Sequence, residues 1–263
     1  MPVPGPRGLL SALLGPVVVV SLLTGCGPRG GGTHSAAPPV RTAPTSPTLA
    51  TSPGPTTSGP PVAAPGEAST AEAVTATEAR IAVHSGPGGP VTHTFTNPQP
   101  SGAPLTFLLN RQDRDWLQVY LPVRPNGSTG WVRTTDVTQA SIPYRLEILT
   151  AAHQLRLYRA NKLLHTYTAA TGTGGTPTPL GLFYLTELLA PTNSGYGPYA
   201  YGLSAFSNVL TSFGGGPGQI GLHGTADAAS IGHSVSHGCI RLTNTDITTL
   251  AKLLPLGTPV HIT

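Results

Sequence analysis

The sequence predicts a mainly β fold with a single α-helix near its C-terminus. From residue 78 onward, apolar residues fall mostly in short runs that alternate with polar neighbours, which is the period of strands. Gly, Pro and Asn separate these runs, as turn residues separate paired strands. Only one segment, after residue 242, combines a helix-capping pattern with apolar residues at helical spacing. We therefore expect two β domains in series, the second of which contains the helix.

The first 25 residues have the features of a secretory signal. Arg7 gives a basic start, residues 9–23 form an apolar core, and small residues precede Cys26. The core is shorter than the ~20 residues that cross a bilayer, and a Gly-Pro pair interrupts it. Small residues directly before a cysteine resemble a bacterial lipobox. We expect a lipoprotein signal peptide over 1–25, acylation of Cys26, and an extracytoplasmic, membrane-anchored protein of the cell envelope; a soluble secreted form is the alternative.

Residues 26–77 are expected to form a disordered linker. Pro, Thr, Ser, Ala and Gly dominate this segment, and large apolar side chains are almost absent. Such a composition buries too little surface to offset the entropy of ordering. The linker would hold the rest of the protein away from a membrane surface.

Residues 78–140 are expected to form a small β-barrel. Pro125-Asn126-Gly127 is typical of a hairpin turn, and the repeated pattern around Trp116 and Trp131 resembles bacterial SH3-like domains. Either the module binds a ligand in a groove, or it serves as a spacer with both tryptophans in its core. The predicted strands are Arg80–Val83, Thr106–Leu109, Trp116–Leu121 and Gly130–Arg133.

Residues 144–263 are predicted to form a second β domain with one helix. Thr243 to Asp246 supply a capping pattern, after which Ile247, Leu250, Leu253 and Leu254 share one face. Strands are predicted at Tyr144–Leu149, Leu155–Tyr158, Leu163–Ala169, Gly181–Thr186, Gln219–Leu222 and Val260–Ile262. The Gly-, Pro- and Tyr-rich stretch from Leu188 to Gly218 is long for a plain loop. We expect it to be a lid that contains Tyr196, Tyr199 and Tyr201.

The charge distribution argues against nucleic acid as a partner. The formal net charge is +4, and it falls to +3 when Arg7 leaves with the signal. The Lys and Arg residues form no cluster, whereas nucleic-acid-binding domains concentrate them on one face. A weakly basic surface is compatible with an anionic envelope polymer.

The chain contains only two cysteines, and one of them stands in a setting suited to nucleophilic chemistry. Cys26 belongs to the expected lipidation site, and a disulfide between a cleavage site and Cys239 is disfavoured. A free thiol has a pKa of about 8.5, so a cysteine nucleophile needs a partner that favours the thiolate. His223, on a predicted strand, is a candidate base for Cys239.

Three neighbours of Cys239 extend this hypothesis. His237 lies two residues before the thiol. Gly238 removes side-chain bulk and permits an unusual backbone angle, so that main-chain N–H groups are able to converge on an oxyanion. Arg241 is suited to bind a substrate carboxylate through a bidentate pair.

Two segments in the same order closely resemble the signature of the L,D-transpeptidases with a YkuD-type domain. The upstream segment contains Thr171-Gly172 and the run Thr176-Pro177-Thr178-Pro179-Leu180-Gly181-Leu182-Phe183. The downstream segment consists of Ile220-Gly221-Leu222-His223-Gly224-Thr225, Ser230-Ile231-Gly232 and Ser236-His237-Gly238-Cys239-Ile240-Arg241-Leu242. The resemblance covers residues 144–263.

The resemblance implies a YkuD-like β-sandwich that acts on peptidoglycan stem tetrapeptides. Cys239 would attack the carbonyl before the terminal D-Ala, release D-Ala and pass the acyl group to an amine, with His223 as base. The resemblance further implies an oxyanion or substrate site, a carbapenem-reactive thiol, and neither a cofactor nor a metal. The residues assigned to the oxyanion or substrate site are Gly224, Ser236, which we expect to orient His237, His237 itself, Gly238 and Arg241.

The same residues permit other interpretations. If water takes the acyl group, the enzyme is a cysteine L,D-carboxypeptidase or wall hydrolase. Other wall-degrading cysteine peptidases place the cysteine before the histidine, the reverse of the order here. A non-enzymatic wall-binding lipoprotein would not need an intact His and Cys pair. A zinc site is disfavoured because the Ser-His-Gly-Cys segment gives its flanking ligands little freedom; its ligands would be His223, His233, His237 and Cys239.

Overall fold

A computed structural model describes residues 70–212 and 215–263. The predicted signal peptide, Cys26 and the linker up to residue 69 lie outside the described residues. Within the described ranges, none of the helices has the length and apolar character needed to cross a bilayer.

The first half of the described chain forms one seven-stranded antiparallel sheet, in the order β3-β2-β6-β5-β4-β1-β7. Its alternating side chains bury an apolar core that includes Val83, Phe107 and Leu117. The turn containing Pro125-Asn126-Gly127 joins β5 to β6, as the sequence predicts. The strands are β1 (Ala71–Ala76), β2 (Arg80–His84), β3 (Val91–Thr96), β4 (Thr106–Asp113), β5 (Trp116–Tyr120), β6 (Thr129–Arg133) and β7 (Val137–Ile142).

The predicted linker extends too far into this sheet. Residues 71–76 form β1, which pairs with both β4 and β7. The apolar side chains on its buried face are mainly small alanines, so its composition resembles that of the linker although its pattern is that of a strand. The folded part therefore begins at least seven residues before the predicted boundary at residue 78.

The second half forms an eight-stranded mixed sheet, in the order β10-β9-β8-β17-β12-β13-β14-β16. A short parallel pair, β11 and β15, lies beside it. The strands are β8 (Tyr144–Leu149), β9 (Gln154–Arg159), β10 (Lys162–Thr168), β11 (Thr171–Gly172), β12 (Gly181–Leu189), β13 (Ala200–Phe206), β14 (Gln219–Thr225), β15 (Ser234–Ser236), β16 (Ile240–Thr243) and β17 (Pro259–Ile262).

One α-helix, α1 (Asn244–Ala251), packs against β14 and β16 among the described residues. Thr243 is its N-cap, and its hydroxyl accepts a hydrogen bond from the amide of Asp246. Ile247 and Leu250 are fully buried. The prediction of a mainly β fold with one capped helix is therefore confirmed for the described part.

The predicted lid is only partly a loop. Residues 200–206 form β13, in the interior of the eight-stranded sheet. Tyr201 is buried there, and its hydroxyl donates to the carbonyls of Leu250 and Leu254. The aromatic residues that suggested a lid thus have two different environments, because Tyr201 lies in the core and Tyr196 lies beside the candidate site described below.

The two sheets share packing through β12. Tyr184 is fully buried within the apolar cluster of the first sheet, and its hydroxyl donates to the carbonyl of Tyr120 at 3.2 Å. The Gln99 amide donates to the carbonyl of Thr186 at 2.9 Å. At Gly257 an added Cβ would lie 2.7 Å from the Cβ of Ala73, so only glycine permits this close approach.

Candidate active site

Strand pairing places the predicted nucleophile and base side by side. β14 and β16 are parallel neighbours, with Leu222 opposite Ile240 and His223 opposite Arg241. Cys239 directly precedes β16 and therefore lies next to Gly221. The amide of Gly221 donates to the Cys239 Sγ at 3.3 Å.

Gly221 separates the thiol from the imidazole, and the sequence analysis did not single it out. A Cβ at this position would lie 3.6 Å from Cδ2 of His223 and 3.8 Å from the Cys239 Sγ. A side chain here would therefore contact both groups. Gly221 lies two residues before His223 and so on the same face of the strand, and this spacing is the sequence signal that would have identified it as a neighbour of His223.

The His223 ring is held by a backbone carbonyl. The ring is 3% exposed, and its Nδ1 lies 2.6 Å from the carbonyl oxygen of Gly224. A carbonyl accepts only, so Nδ1 carries the proton and the neutral ring keeps its lone pair on Nε2. Cδ2, the atom bonded to Nε2, is the ring atom nearest Gly221 among those measured there. This tautomer therefore leaves the basic nitrogen next to Cδ2, the ring atom that approaches Gly221.

Gly224, predicted from the sequence to belong to the oxyanion or substrate site, holds the His223 ring through its backbone. Its carbonyl orients His223, and its amide donates to the carbonyl of Tyr199 at 3.2 Å. Both of its backbone polar groups are engaged within the protein.

Burial keeps the resting pair neutral. Desolvation lowers the pKa of His223 to about 4, with a smaller effect of the Arg241 charge in the same direction, against the hydrogen bond to Gly224. Desolvation also raises the pKa of the Cys239 thiol, against the Gly221 amide and the Arg241 charge, which both lower it. At neutral pH the site therefore holds a thiol and a neutral imidazole, so the proton moves during the reaction.

The Ser236–Cys239 loop is braced by the Ser236 hydroxyl. This hydroxyl donates to the carbonyl of Cys239 at 2.5 Å and accepts from the amide of Gly238 at 3.1 Å. Gly238 has the unusual backbone angle that the sequence predicted, with φ of 113°. Ser236 thus shapes the loop backbone, and its role in orienting His237 stays a prediction.

The hydrogen bond to Ser236 changes the expected oxyanion site. Because the Gly238 amide is already engaged, it is not a ready donor for a substrate oxyanion. Of the amides of Gly238 and Cys239, the Cys239 N–H is therefore the remaining candidate donor to a substrate oxyanion. His237 lines the cavity beside it.

The upstream motif, through Thr176 and Thr178, forms hydrogen bonds with the Ser236–Cys239 loop. The Thr178 hydroxyl accepts from the amide of Gly172 at 2.9 Å and donates to the carbonyl of Gly238 at 3.0 Å. The Thr176 hydroxyl donates to the carbonyl of Ser236 at 3.2 Å. The two sequence segments that lie about 60 residues apart therefore form one hydrogen-bonded structure.

Two cavities meet at His223 and Tyr196. The first, of about 170 Å³, is the more polar of the two and contains the catalytic pair; its other lining residues are Gly195, Tyr196, Ser236, His237 and Arg241. The second, of about 240 Å³, is mainly apolar; it is lined by Leu189, Pro191, Tyr196, Ala200, Gly202, Gln219, Ile220, Gly221 and His223. The Tyr196 ring packs on the His223 ring with centroids 4.8 Å apart, so Tyr196 forms part of both walls.

Arg241 places a cation in the polar cavity. Its backbone is fixed by paired hydrogen bonds with Ala170, both of 2.9 Å. Its Nε is buried and has no hydrogen-bond partner in the described structure. The Arg241 charge at the wall of this cavity favours an anionic ligand there.

The described residues contain no group of three or more His, Cys, Asp or Glu side chains that could hold a metal ion. Cys239 is a free thiol.

The second half of the chain is similar to known proteins. A model of the YkuD family, described as an L,D-transpeptidase catalytic domain, matches residues 143–262. The L,D-transpeptidase YkuD of Bacillus licheniformis is 37% identical over 123 residues, which are 47% of this chain and 67% of that protein. This chain belongs to the YkuD family of L,D-transpeptidases.

The chain is also similar to a second curated YkuD protein and to two solved structures. The YkuD protein of Bacillus subtilis is 36% identical over 122 residues, which are 46% of this chain and 67% of that protein. A structure from Bdellovibrio bacteriovorus is 26% identical, with a TM-score of 0.37, over 46% of this chain and 48% of that one. An L,D-transpeptidase from Mycobacterium smegmatis is 14% identical, with a TM-score of 0.39, over 60% of this chain and 90% of that one.

The family match starts at residue 143, one residue before the predicted start of the L,D-transpeptidase domain. Of the predicted site residues, the first cavity is lined by His223, Ser236, His237, Cys239 and Arg241. Gly238 and Gly224 contribute backbone structure around it. The sequence analysis missed Gly221 as a spacer and did not assign Tyr196 to the wall beside His223.

Proposed function

We propose that this L,D-transpeptidase joins peptidoglycan stem peptides through a thioester on Cys239. The observation that carries the proposal is the neutral His223 ring and the Cys239 thiol on either side of Gly221, in one cavity with the Arg241 guanidinium. A buried base beside a thiol, with a fixed cation nearby, suits acyl transfer from a substrate that ends in a carboxylate.

In the first half-reaction, Nε2 of His223 takes the thiol proton as Sγ of Cys239 attacks the carbonyl before the terminal D-Ala. The S–C bond forms, and the carbonyl oxygen becomes an oxyanion near the Cys239 amide. The C–N bond to D-Ala then breaks, and the imidazolium returns its proton to the leaving amine. Free D-Ala and a thioester remain, with no net change in protons.

Arg241 is the candidate partner of the donor's terminal carboxylate. A guanidinium beside a carboxylate forms charge-assisted hydrogen bonds, which are stronger than neutral ones. The same charge disfavours protonated His223 before the reaction, so it also keeps the base available.

In the second half-reaction, we place the acceptor amine in the apolar cavity. This cavity reaches His223, which must remove a proton from the amine as it attacks the thioester. Apolar walls lower the pKa of an amine and so increase the neutral, nucleophilic fraction. The sulfur then leaves and recovers a proton from the imidazolium, which restores the resting pair.

Acylation by a carbapenem tests the role of Cys239. We expect the wild-type protein to gain the mass of one drug molecule and Cys239→Ala to gain none. Ser234→Ala, which removes an exposed hydroxyl on β15, is the matched control and should react as wild type does. Intact-mass spectrometry measures all three, and an unlabelled wild-type protein would contradict the proposal.

Reaction with purified tetrapeptide stems separates transfer from hydrolysis. The proposed function predicts dimers that lack one D-Ala. Production of free tripeptide alone would instead support the L,D-carboxypeptidase alternative. A protein that binds wall material but releases no D-Ala would support the non-enzymatic alternative.

We also propose that Cys26 carries a lipid anchor and that residues 70–142 are an SH3-like module of a cell-envelope protein. The lipobox-like residues before Cys26 and the Pro- and Thr-rich segment after it support the anchor. Cys26→Ala should move the protein from the membrane fraction to the soluble fraction of cells. Equal membrane association of both forms would reject the anchor.

A further inference from the structure

The hairpin turn between β5 and β6 contacts the connection between β13 and β14. The turn contributes Arg124 and Asn126, and the connection contributes residues 206–210 and 217–218. This contact lies outside the catalytic pair, but β14 continues directly into the wall of the apolar cavity. The first sheet thus contacts a segment that leads into the candidate site.

Arg124 joins three carbonyls of the connection. Its Nη1 donates to Pro217 at 2.8 Å, and its Nη2 donates to Ser207 at 2.8 Å and to Leu210 at 3.2 Å. The guanidinium also lies 4.9 Å from the centroid of the Phe206 ring. The planar guanidinium supplies several donors in a fixed geometry, which a lysine ammonium does not. One side chain therefore holds both ends of the connection together.

The side chain of Asn126 forms the two backbone hydrogen bonds with Phe206 that a paired strand residue would form. Its Nδ2 donates to the carbonyl of Phe206 at 2.8 Å, and its Oδ1 accepts from the amide of Phe206 at 2.9 Å. Two such bonds to one residue are what a paired strand residue makes. The end of β13 is therefore completed by a side chain from the first sheet.

The sheet needs support at this point because its pairing is irregular. The β13–β14 register shifts between Gly202 and Phe206, and pairing resumes at Phe206 opposite Gln219. Gln219, Ile220 and Gly221 line the apolar cavity. By contrast, the catalytic end of β14 is held by four consecutive pairs with β16.

We propose that Arg124 and Asn126 are positioning residues for the acceptor side of the active site. They hold the Phe206 and Gln219 pair in register, and this pair sets the wall at Gln219 and Ile220. The proposal rests on the proposed function, since it assigns the apolar cavity to the acceptor amine. It predicts that loss of this contact impairs transfer to the acceptor more than acylation of Cys239.

Four variants of the chain of residues 1–263 test the proposal. Arg124→Ala removes the bonds to the connection, and Asn126→Asp keeps the shape of Asn126 but removes its donor. Arg80→Ala is the control, because Arg80 is exposed on the same sheet. The readouts are the KM for the acceptor stem, the ratio of dimer to free tripeptide, and the rate of carbapenem acylation.

We expect the KM for the acceptor to rise about 3- to 30-fold in Arg124→Ala and in Asn126→Asp, which is the range of coupling through packed elements. The dimer-to-tripeptide ratio should fall, while carbapenem acylation stays within about 2-fold of wild type. Arg124→Lys should restore part of the loss. Equal impairment of both steps, or no change in the KM, would overturn the proposal.

Hydrogen exchange distinguishes a failure of this proposal from a failure of the proposed function. The Ser207 amide donates to the carbonyl of Gly218 at 2.8 Å and should exchange faster in both variants than in Arg80→Ala. If wild type forms no adduct and no dimers, the proposed function fails. If wild type is active but exchange at Ser207 is unchanged in both variants, the positioning role fails.

Discussion

His223 combines deep burial with a single oriented hydrogen bond, and both features have consequences for chemistry. Burial favours the neutral ring, and the Gly224 carbonyl selects the tautomer with the proton on Nδ1. Neither effect follows from the identity of the residue. The sequence predicted His223 and Cys239 as partners, but the carbonyl that orients the ring and the glycine that separates the pair depend on how β14 lies against β16.

The depressed pKa of His223 predicts a loss of stability in acid. The unfolded ring binds a proton below about pH 6.5, whereas the folded ring stays neutral down to about pH 4. Stability therefore falls as the pH drops from about 6.5 to about 4, by about 3 kcal/mol from this group.

Urea unfolding of wild type and His223→Gln at pH 7 and pH 4 measures this contribution. The glutamine cannot titrate, so the variant should lose less unfolding free energy between the two pH values. The other titrating groups are common to both proteins and cancel in the comparison. The same pH dependence in wild type and variant would show that the ring is not held neutral.

At the scale of elements, the segment from Gly172 to Thr178 stabilises the Ser236–Cys239 loop through hydrogen bonds. Gly172 lies where the chain folds back on itself, and a Cβ there would lie 2.3 Å from the backbone oxygen of Thr176. The sequence showed this segment as a motif of the family. Its physical role became visible only when the Thr176 and Thr178 hydroxyls were found on the carbonyls of Ser236 and Gly238.

Gly172→Ala should therefore damage both folding and reactivity. The new methyl group would displace backbone, and overpacking of this kind costs about 1–3 kcal/mol. Gly174→Ala is a matched control from the same segment, since a Cβ there meets nothing within 4 Å. Thermal unfolding and the rate of carbapenem acylation measure the two variants.

We expect Gly172→Ala to melt at a lower temperature and to react more slowly than wild type, with Gly174→Ala unchanged in both. Comparable behaviour of the two variants would show that the close approach at Gly172 does not support the loop.

At the scale of the whole molecule, the two sheets share a core through Tyr184 and approach each other closely at Gly257. The hydrogen bonds from Tyr184 to Tyr120 and from Gln99 to Thr186 add polar contacts to this packing. Buried apolar contact between two units couples their unfolding. We therefore expect the two described sheets to unfold as one cooperative unit, although the sequence predicts two domains in series.

This coupling predicts a single unfolding transition. Both tryptophans of the chain, Trp116 and Trp131, lie in the first sheet, so their fluorescence reports that sheet. Cys239 lies at the second sheet, so its reactivity towards a thiol reagent reports the unfolding of that sheet. The two probes should give the same urea midpoint, as two-state unfolding requires.

Tyr184→Phe, which removes the hydroxyl bonded to Tyr120, should shift both midpoints together, by about 1 kcal/mol in unfolding free energy. Transitions that separate in the wild-type protein would show that the sheets unfold independently.

The sequence by itself determined the features that depend on neighbouring residues. These include the mainly β fold, most of the strands, the capped helix, and the two motifs that carry the family resemblance. Alternation, capping and turn residues act over a few positions, so they are visible without a fold. The strand at 71–76 was missed because alanines give a weak apolar signal, and β13 was missed because a Gly- and Tyr-rich composition concealed it.

Only the tertiary structure decided which groups meet. Strand order placed Gly221 between the thiol and the ring, assigned the Gly224 carbonyl to the base, and engaged the Gly238 amide with Ser236. It also brought Arg124 to the connection before β14. These contacts join residues that are distant in the chain, or they depend on the direction of the backbone. Their hydrogen-bond geometry is therefore fixed by the packing of the strands and not by the composition of the sequence.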